Sequence, residues 1–323
     1  VTERSARRVT YRVADRDDGS RLDLFLKERI PRMSREGIKA AIRTRVAVRG
    51  RTAVRPATTL RAGDVVVVAY PVLDAAGEPP PGPAAVPEPE ILHDDAHLLA
   101  VNKPPGILVH PTASSTGPSL LGWLRSREAG PLHLVHRLDR DTSGAVVLAR
   151  TAEAARTLSR AFASGEVAKT YLAVVFGSVG PDAGTIELPL GKASGSAVHV
   201  KQGVAAMGRP ARTDYRVIER LDGFTLLELS PRTGRRHQIR VHLQAIGHPV
   251  AGDRLYGARE SHHVRFRASG FDERMRRDVV AERHLLHAAS LELPHPETGR
   301  RLTIAAPLPA DMAGFVERRR ARS

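Results

Sequence analysis

The chain has 323 residues, 41% hydrophobic and 26% charged, and 50 Lys+Arg against 35 Asp+Glu give it a formal charge of +15. Such a composition is ordinary for globular structure and excludes a wholly disordered chain, while the length suits two domains. Cysteine is absent, which rules out disulfides, thiolate metal sites, cysteine-held iron–sulfur clusters and any cysteine nucleophile.

Positive charge is concentrated early: residues 1–72 hold 17 Lys/Arg and 8 acids, leaving a net of only +6 for the rest. Clustered Arg on a small module suits phosphate binding, because each neutralised phosphate releases counterions; the plainer reading is a solvated basic face. Alternation over residues 9–16 predicts a strand. Leu22, Phe25, Leu26 and Ile30 share one face of a helix over 21–30, which Pro31 ends. Ser34 is placed to cap a second helix, with Ile38, Ala41 and Ile42 on one side and Arg35, Lys39 and Arg43 on the other. Residues 46–54 read as strand–turn–strand around Gly50, and Ala62–Asp64 as a turn into the strand Val65–Tyr70. Pro79, Pro80, Pro81, Pro83, Pro87 and Pro89 then forbid helix and sheet interior, so a semi-rigid spacer is expected. The expected layout is a basic module over 1–73, a linker over 74–90, a larger domain over 91–310 and a basic tail over 311–323. Val65–Leu73, the longest apolar run, is broken by Pro71 and falls short of the roughly 20 residues of a membrane span. VTERSARR at the start has no apolar stretch of a secretory signal, so a cytoplasmic protein without membrane association is expected.

From Ile91 onward short apolar or alternating runs predict strands: HLLAVN, AVVLA, TYLAVVFG, TIELPL, ARTDYRVIE, FTLLELS and LTIAAP. Helices are fewer, chiefly Thr151–Ala163 and about His237–Ile246, with Gly247 suited to a left-handed C-terminal cap. Many strands without βαβ alternation indicate an α+β domain.

Three segments concentrate chemistry. In LVHRLDRDTSGAVVLAR a loop carrying Asp139, Asp141, Arg137, Arg140, Thr142 and Ser143 lies between two apolar strands, a costly place for charge unless it is used. Thr142–Gly144 suit a tight turn that hydrogen-bonds a carboxylate. TGRRHQIRVHLQAIGHPVAGDRLYG carries Ile239, Leu243 and Ile246 on one helical face and Arg236, Arg240 and Gln244 on another, from which an Arg can hold a carboxylate ionised. In GEVAKTYLAVVFG, Lys169 and Tyr171 share a strand face, so a cation and a ring sit side by side. Spacing alone does not choose between Asp139 and Asp141.

HRLDRDTSG, followed by KTY and GRRHQIRVH and preceded by VNKPPGILVHP, resembles the RluA family of pseudouridine synthases, and Arg21–Asp64 resembles the S-four RNA-binding domain. The resemblance implies a pseudouridine synthase fold, a mixed and mostly antiparallel sheet behind a small RNA-binding module. It implies isomerisation of uridine within RNA, ribosomal RNA of the large subunit being favoured over tRNA. Asp139 is then the nucleophile or base at the ribose, Tyr171 the platform under uracil and Arg240 the partner of Asp139. Leu286 lines the pocket, and Arg137, His136, Lys103 and Gln238 complete the substrate-binding set. Arg21, Arg35, Lys39 and Arg43 are expected to bind RNA. Arg236 stands where Thr or Ser is usual in the family. No metal, no cofactor and no obligate protein partner are expected, and a monomer is. Two rivals are weighed. Metal hydrolysis would use His93 and His97 or His237 and His242, but neither pair has a carboxylate-rich shell. A catalytically idle RNA-binding assembly factor would keep the basic module and not use Asp139.

Overall fold

A computed structural model describes residues 6–30, 38–39, 41–43, 46–71, 88–110, 119–127, 130–196, 198, 200–257, 262–263, 266, 271 and 278–320. The chain divides into two compact units, Val1–Gly82 and Pro83–Ser323.

In the first unit, β1 (Ala6–Arg12), β2 (Val46–Val48) and β3 (Val65–Pro71) form an antiparallel sheet in the order β1-β3-β2. Helix α1 (Leu22–Arg29) buries Leu22, Phe25 and Leu26, and the helical residues 38–39 and 41–43 bury Ile38, Ala41 and Ile42 against Val46, Val48, Val66 and Val68. The second strand expected after Gly50 does not form. Arg51 bridges back to Val48, Thr52 and Ala53 are exposed, and Pro56 has no N–H to carry a ladder onward. The first strand also stops at Arg12, because Asp15–Asp17 turn into a short 3₁₀ helix. Ser34, Arg35 and most of the Pro-rich spacer lie outside the described residues.

The second unit is built on a ten-stranded sheet. Its strands are β4 (Glu90–Asp94), β5 (Leu98–Lys103), β6 (His133–Leu134), β7 (Ser143–Ala149), β8 (Ala168–Phe176), β9 (Ala183–Glu187), β12 (Arg212–Leu221), β13 (Phe224–Pro231), β14 (Leu286–Pro294) and β15 (Arg301–Ala305). The order is β4-β5-β7-β14-β8-β13-β12-β9, with β15 on β14 and β6 on β7. All pairings are antiparallel except β7 with β14, where His287 faces Ser143 and Ala288 faces Gly144. A separate antiparallel pair joins β10 (Leu190–Lys192) to β11 (Gln202–Val204). The architecture is α+β, as the strand-rich pattern predicts.

Central strands are apolar on both faces because helices cover both. On one face α2 (Leu120–Arg125) packs over Leu99, Val101, Val146 and Leu148. α4 (Gln238–Ala245) packs over Ala173, Val175 and Leu227, and Tyr171 belongs to both clusters. Residues of opposite parity meet α3 (Ala152–Ser164) and α5 (Ala310–Arg319). Residues 310–319 are therefore not the basic tail expected from charge. Met312, Phe315 and Val316 form a buried stripe against Phe224 and Leu226, Arg319 lies over the rings of Phe224 and Phe315, and Arg318 and Arg320 are exposed. Among the described residues no helix is long and apolar enough to cross a membrane.

Candidate active site

Asp139 lies in the loop between β6 and β7, and the first residues of β7 fix where that loop ends. Gly144 has φ 116°, and a Cβ there would stand 2.2 Å from the carbonyl oxygen of Ala288. Only glycine permits β7 to meet β14 this closely. Buried side chains close the same seam: Thr142 Oγ1 lies 2.7 Å from His284 Nε2, and Ser143 Oγ 3.0 Å from His287 Nδ1. The hydroxyls of the TSG turn thus bind histidines and not the expected carboxylate. The contact of the turn with Asp139 is a backbone one, Thr142 N–H to Asp139 O at 3.2 Å.

Helix α4 brings the counter-charge. His237 enters it in the left-handed region at φ 56°, and one turn later Arg240 points inward and is buried. Arg240 Nη1 donates to Asp139 Oδ2 at 2.8 Å. Its other edge is held in two places by Asp253, Nε to Oδ2 at 2.6 Å and Nη2 to Oδ1 at 2.8 Å. Asp253 is fully buried and also accepts the N–H groups of Leu255 and Tyr256. The guanidinium therefore lies between two carboxylates, one sealed in protein and one facing the cavity. Asp253 escaped sequence reading although AGDRLYG was in view. Its signal is Gly252, at φ 80°, where a Cβ would collide with Arg283 O at 1.8 Å.

Electrostatics follow from this packing. Burial works to raise the Asp139 carboxyl, but the charges of His237 and Arg240 and the Arg240 hydrogen bond outweigh it and hold the group at about 2. His237 stands 3.9 Å from Asp139, yet burial pushes its own ring down to about 4. At neutral pH His237 is uncharged, and Arg240 is the cation that keeps Asp139 ionised. Burial pushes the phenol of Tyr171 well up, with the Asp139 charge adding to the effect, so it stays neutral.

A cavity of about 330 Å³ opens beside Asp139. Its wall includes Tyr171, Ile239, Arg240 and Leu286, and its margin carries Arg137, Lys169, Arg235 and Arg236. The structure thus brings Asp139, Tyr171, Arg240, Leu286, Arg137 and Gln238 to one cavity. Gln238 lines it, but its amide is committed: the oxygen accepts from Thr233 Oγ1 and Arg235 N–H, and the nitrogen donates to Arg212 O and Thr213 Oγ1. That use is structural.

Two residues expected to bind substrate stand elsewhere. Lys103 is fully buried, its ammonium donating to the carbonyls of Pro104, Ile107 and Arg140 at 2.7, 3.0 and 2.9 Å. Burial pushes it down to about 7, and three carbonyls matched to its three N–H groups work to keep the proton. It ties the NKPPG turn to the Asp139 loop and does not line the cavity. His136 stacks on Phe162 with ring centroids 4.5 Å apart and accepts the N–H of Val147 through Nε2. Burial lowers it to about 3, so it is a neutral structural acceptor. Asp141 turns away from the cavity to Arg254, Oδ2 to Nη2 at 2.5 Å.

Of the N-terminal cations, Arg21 is exposed and forks onto Asp23, Arg43 is exposed, Lys39 is half-buried, and Arg35 lies outside the described residues. His242 is buried between Thr213 Oγ1 and Leu188 O, and His237 Nδ1 pairs with Tyr256 Oη at 2.8 Å. His93 lies on Asp95 at 2.6 Å.

Residues 97–245 match the family model described as RNA pseudouridylate synthase. A ribosomal large subunit pseudouridine synthase D of Nitrosomonas europaea is 40% identical over 234 residues, covering 71% of this chain and 64% of that protein. One of Yersinia pestis is 34% identical over 316 residues, covering 94% of this chain and 92% of that protein. Among solved structures, human RNA Pseudouridylate Synthase Domain Containing 1 superposes with a TM-score of 0.56 at 29% identity, over 70% of this chain and 85% of that one.

Proposed function

The chain belongs to the RluA family of RNA pseudouridine synthases, and from that premise we propose that it isomerises uridine in large-subunit (23S) ribosomal RNA with Asp139 as the acting carboxylate. The observation that carries this reading is the Asp139–Arg240 pair at 2.8 Å, opening on a cavity with an aromatic wall. Breaking the bond from uracil to ribose develops positive charge at the anomeric carbon, which an ionised carboxylate stabilises or attacks. Arg240 keeps Asp139 ionised, and Asp253 keeps Arg240 in place. The neutral ring of Tyr171 offers uracil a flat surface while it turns, and Leu286 supplies an apolar wall. Detached uracil is thereby kept for rejoining through carbon 5. Bringing a base into the cavity means leaving its stack, at a cost of a few kcal/mol, which favours loops and bulges as targets. Arg137, Lys169, Arg235 and Arg236 suit the flanking phosphates. The first unit, with its net positive charge, serves as an S-four-type RNA-binding module.

Names of the relatives favour ribosomal RNA over tRNA as the target. The test is tritium release from RNA carrying uridine labelled at carbon 5. Wild-type protein releases tritium from a large-subunit ribosomal transcript, and Asp139→Asn binds that transcript equally and releases none. Release from tRNA alone overturns the target, and equal release by Asp139→Asn overturns the role of the carboxylate.

A further inference from the structure

His237 lines the cavity beside Asp139, and the chemistry proposed for Asp139 makes no use of it. It enters α4 in the left-handed region at φ 56°, a conformation that costs free energy for a residue with a Cβ and persists because its surroundings hold it. Its side chain is 8% exposed. One ring nitrogen is gripped: Nδ1 lies 2.8 Å from Tyr256 Oη, with the two rings edge to face. The other, Nε2, stands 3.9 Å from Asp139 Oδ1 and has no hydrogen-bond partner among the described residues. Oδ1 is the carboxylate oxygen that Arg240 leaves free, since Nη1 of Arg240 takes Oδ2.

Hydrogen-bond accounting fixes which nitrogen of His237 carries the proton. Tyr256 is buried, and burial pushes its phenol up to about 12, so the hydroxyl keeps its hydrogen. That oxygen already accepts Gln202 N–H at 2.9 Å, and among the described residues its other partner is His237 Nδ1. With the proton on Nδ1, Tyr256 Oη would accept twice and leave its own buried O–H without an acceptor. Tyr256 O–H therefore donates to Nδ1, and the neutral ring carries its proton on Nε2, toward Asp139.

A donor and an acceptor thus stand side by side in the cavity wall. An oxygen about 2.8 Å from Asp139 Oδ1 and about 2.9 Å from His237 Nε2 subtends about 90° across the 3.9 Å gap, which a hydroxyl spans when it donates to one partner and accepts from the other. A carbonyl there would face the carboxylate with a lone pair, and an N–H would face the His237 N–H. The hydroxyl of a uridine nearest to the bond that breaks is the ribose 2′-hydroxyl.

We propose that His237 and Asp139 together read the 2′-hydroxyl of the target nucleotide, His237 Nε2–H donating to its oxygen and Asp139 Oδ1 accepting its hydrogen, so that the pair distinguishes ribose from deoxyribose. The inference rests on the pseudouridine synthase reading and adds what the site requires of the sugar. Oδ1 keeps a second lone pair for the ribose carbon on which it acts. The 2′-oxygen stands one carbon from the anomeric centre, where hydrogen bonds to a sugar hydroxyl strengthen as positive charge develops.

The probes are two large-subunit ribosomal transcripts that differ only in carrying uridine or 2′-deoxyuridine at the modified position. They are compared in the Asp139→Ala background, so that binding is read without turnover. There the deoxy transcript has a Kd about fivefold higher, the effect of one hydrogen bond. Adding His237→Phe raises the Kd of the uridine transcript about fivefold and makes the two transcripts equal. Adding His237→Gln instead, whose amide presents an N–H in the same direction, keeps the difference. With Asp139 intact, His237→Phe lowers kcat about tenfold or more, because the bond is strongest in the transition state. A readout without RNA is the 15N spectrum of the imidazole: Nε2 is the protonated nitrogen of His237 in the wild type, and Tyr256→Phe lets the two tautomers mix. Equal Kd for the two transcripts in Asp139→Ala, a difference that survives His237→Phe, or its loss in His237→Gln overturns the reading of the 2′-hydroxyl, and a wild-type proton on Nδ1 does so as well. Failure of the functional reading looks different: the wild type releases no tritium from ribosomal RNA or tRNA, whatever the tautomer of His237.

Discussion

Arg240 has two carboxylates to satisfy and Asp139 has one cation, so the two residues respond differently to substitution. Arg240→Gln strips a fully buried Asp253 of its countercharge and costs about 3 kcal/mol of stability, the range for breaking a buried pair. It also leaves burial as the dominant influence on Asp139, so that carboxyl rises. In the wild type its folded value of about 2 lies below the ordinary 3.8. The contribution of the pair to stability is therefore full above about pH 4 and is lost as pH falls toward 2. The pH profile of tritium release should show no inflection from Asp139 between pH 5 and 8 in the wild type and an acid limb inside that window in Arg240→Gln. A folded Arg240→Gln variant whose profile shows no acid limb in that window removes the ion-pair argument. Lys103→Met tests a different contact: three loop carbonyls lose their donor, stability falls by about 3 kcal/mol, and thermal melting reports it. Of these side chains, Asp139, Arg240 and Tyr171 were legible through motif and resemblance. Lys103 and His136 were legible as motif members only, because a sequence pattern does not say whether a polar side chain faces a cavity or a ring of carbonyls.

Elements were read well where periodicity was driven by burial. α3 and α4 were expected to within two residues, because their apolar faces repeat at helical spacing and Thr151 and Gly247 mark their ends. α5 is masked in the sequence by four arginines in residues 318–322, although Met312, Phe315 and Val316 repeat at helical spacing. Its place matters for the site: Arg283 forks onto Asp311 of α5 and also donates to the carbonyl of Asp141, so the last helix braces the Asp139 loop from behind. The turn after α4 makes a sharper prediction. Gly252 presents Asp253 to Arg240 at a φ that L side chains avoid, with Arg283 O where a Cβ would go. Gly252→Ala should cost about 3 kcal/mol, lower Tm by about 6–12 °C and reduce turnover with the displaced Asp253. Differential scanning calorimetry together with tritium release checks both, and a variant with native Tm and rate shows that the turn relaxes freely.

At the scale of the molecule, what the sequence hid was adjacency. Asp139 and Arg240 meet across 101 positions, and Thr142 and His284 across 142, through a sheet whose order places β7, β14 and β8 side by side. Local patterning reports which strands exist and is silent on which strands neighbour one another, so the motifs alone carried that information. Charge, in contrast, is additive and was readable directly. The first unit has a separate apolar core, built from residues of α1, β2, β3 and the helical residues 38–39 and 41–43. Residues 1–72 hold a net of +9 out of +15. If four or more of those cations neutralise phosphates, removing them lowers the slope of log Kd against log salt by about 3, at about 0.7–0.9 per contact. A chain lacking residues 1–72 should therefore bind ribosomal RNA more weakly at 50 mM salt and lose less affinity on going to 200 mM. Its kcat at saturating RNA should stay within about threefold of the full chain, because Asp139, Tyr171, Arg240 and Asp253 all belong to the second unit. Fluorescence anisotropy across a salt series measures the first expectation and tritium release at saturation the second. An unchanged slope in the shortened chain means that the arginines of the first unit face solvent alone, and the second unit then carries the whole of RNA recognition.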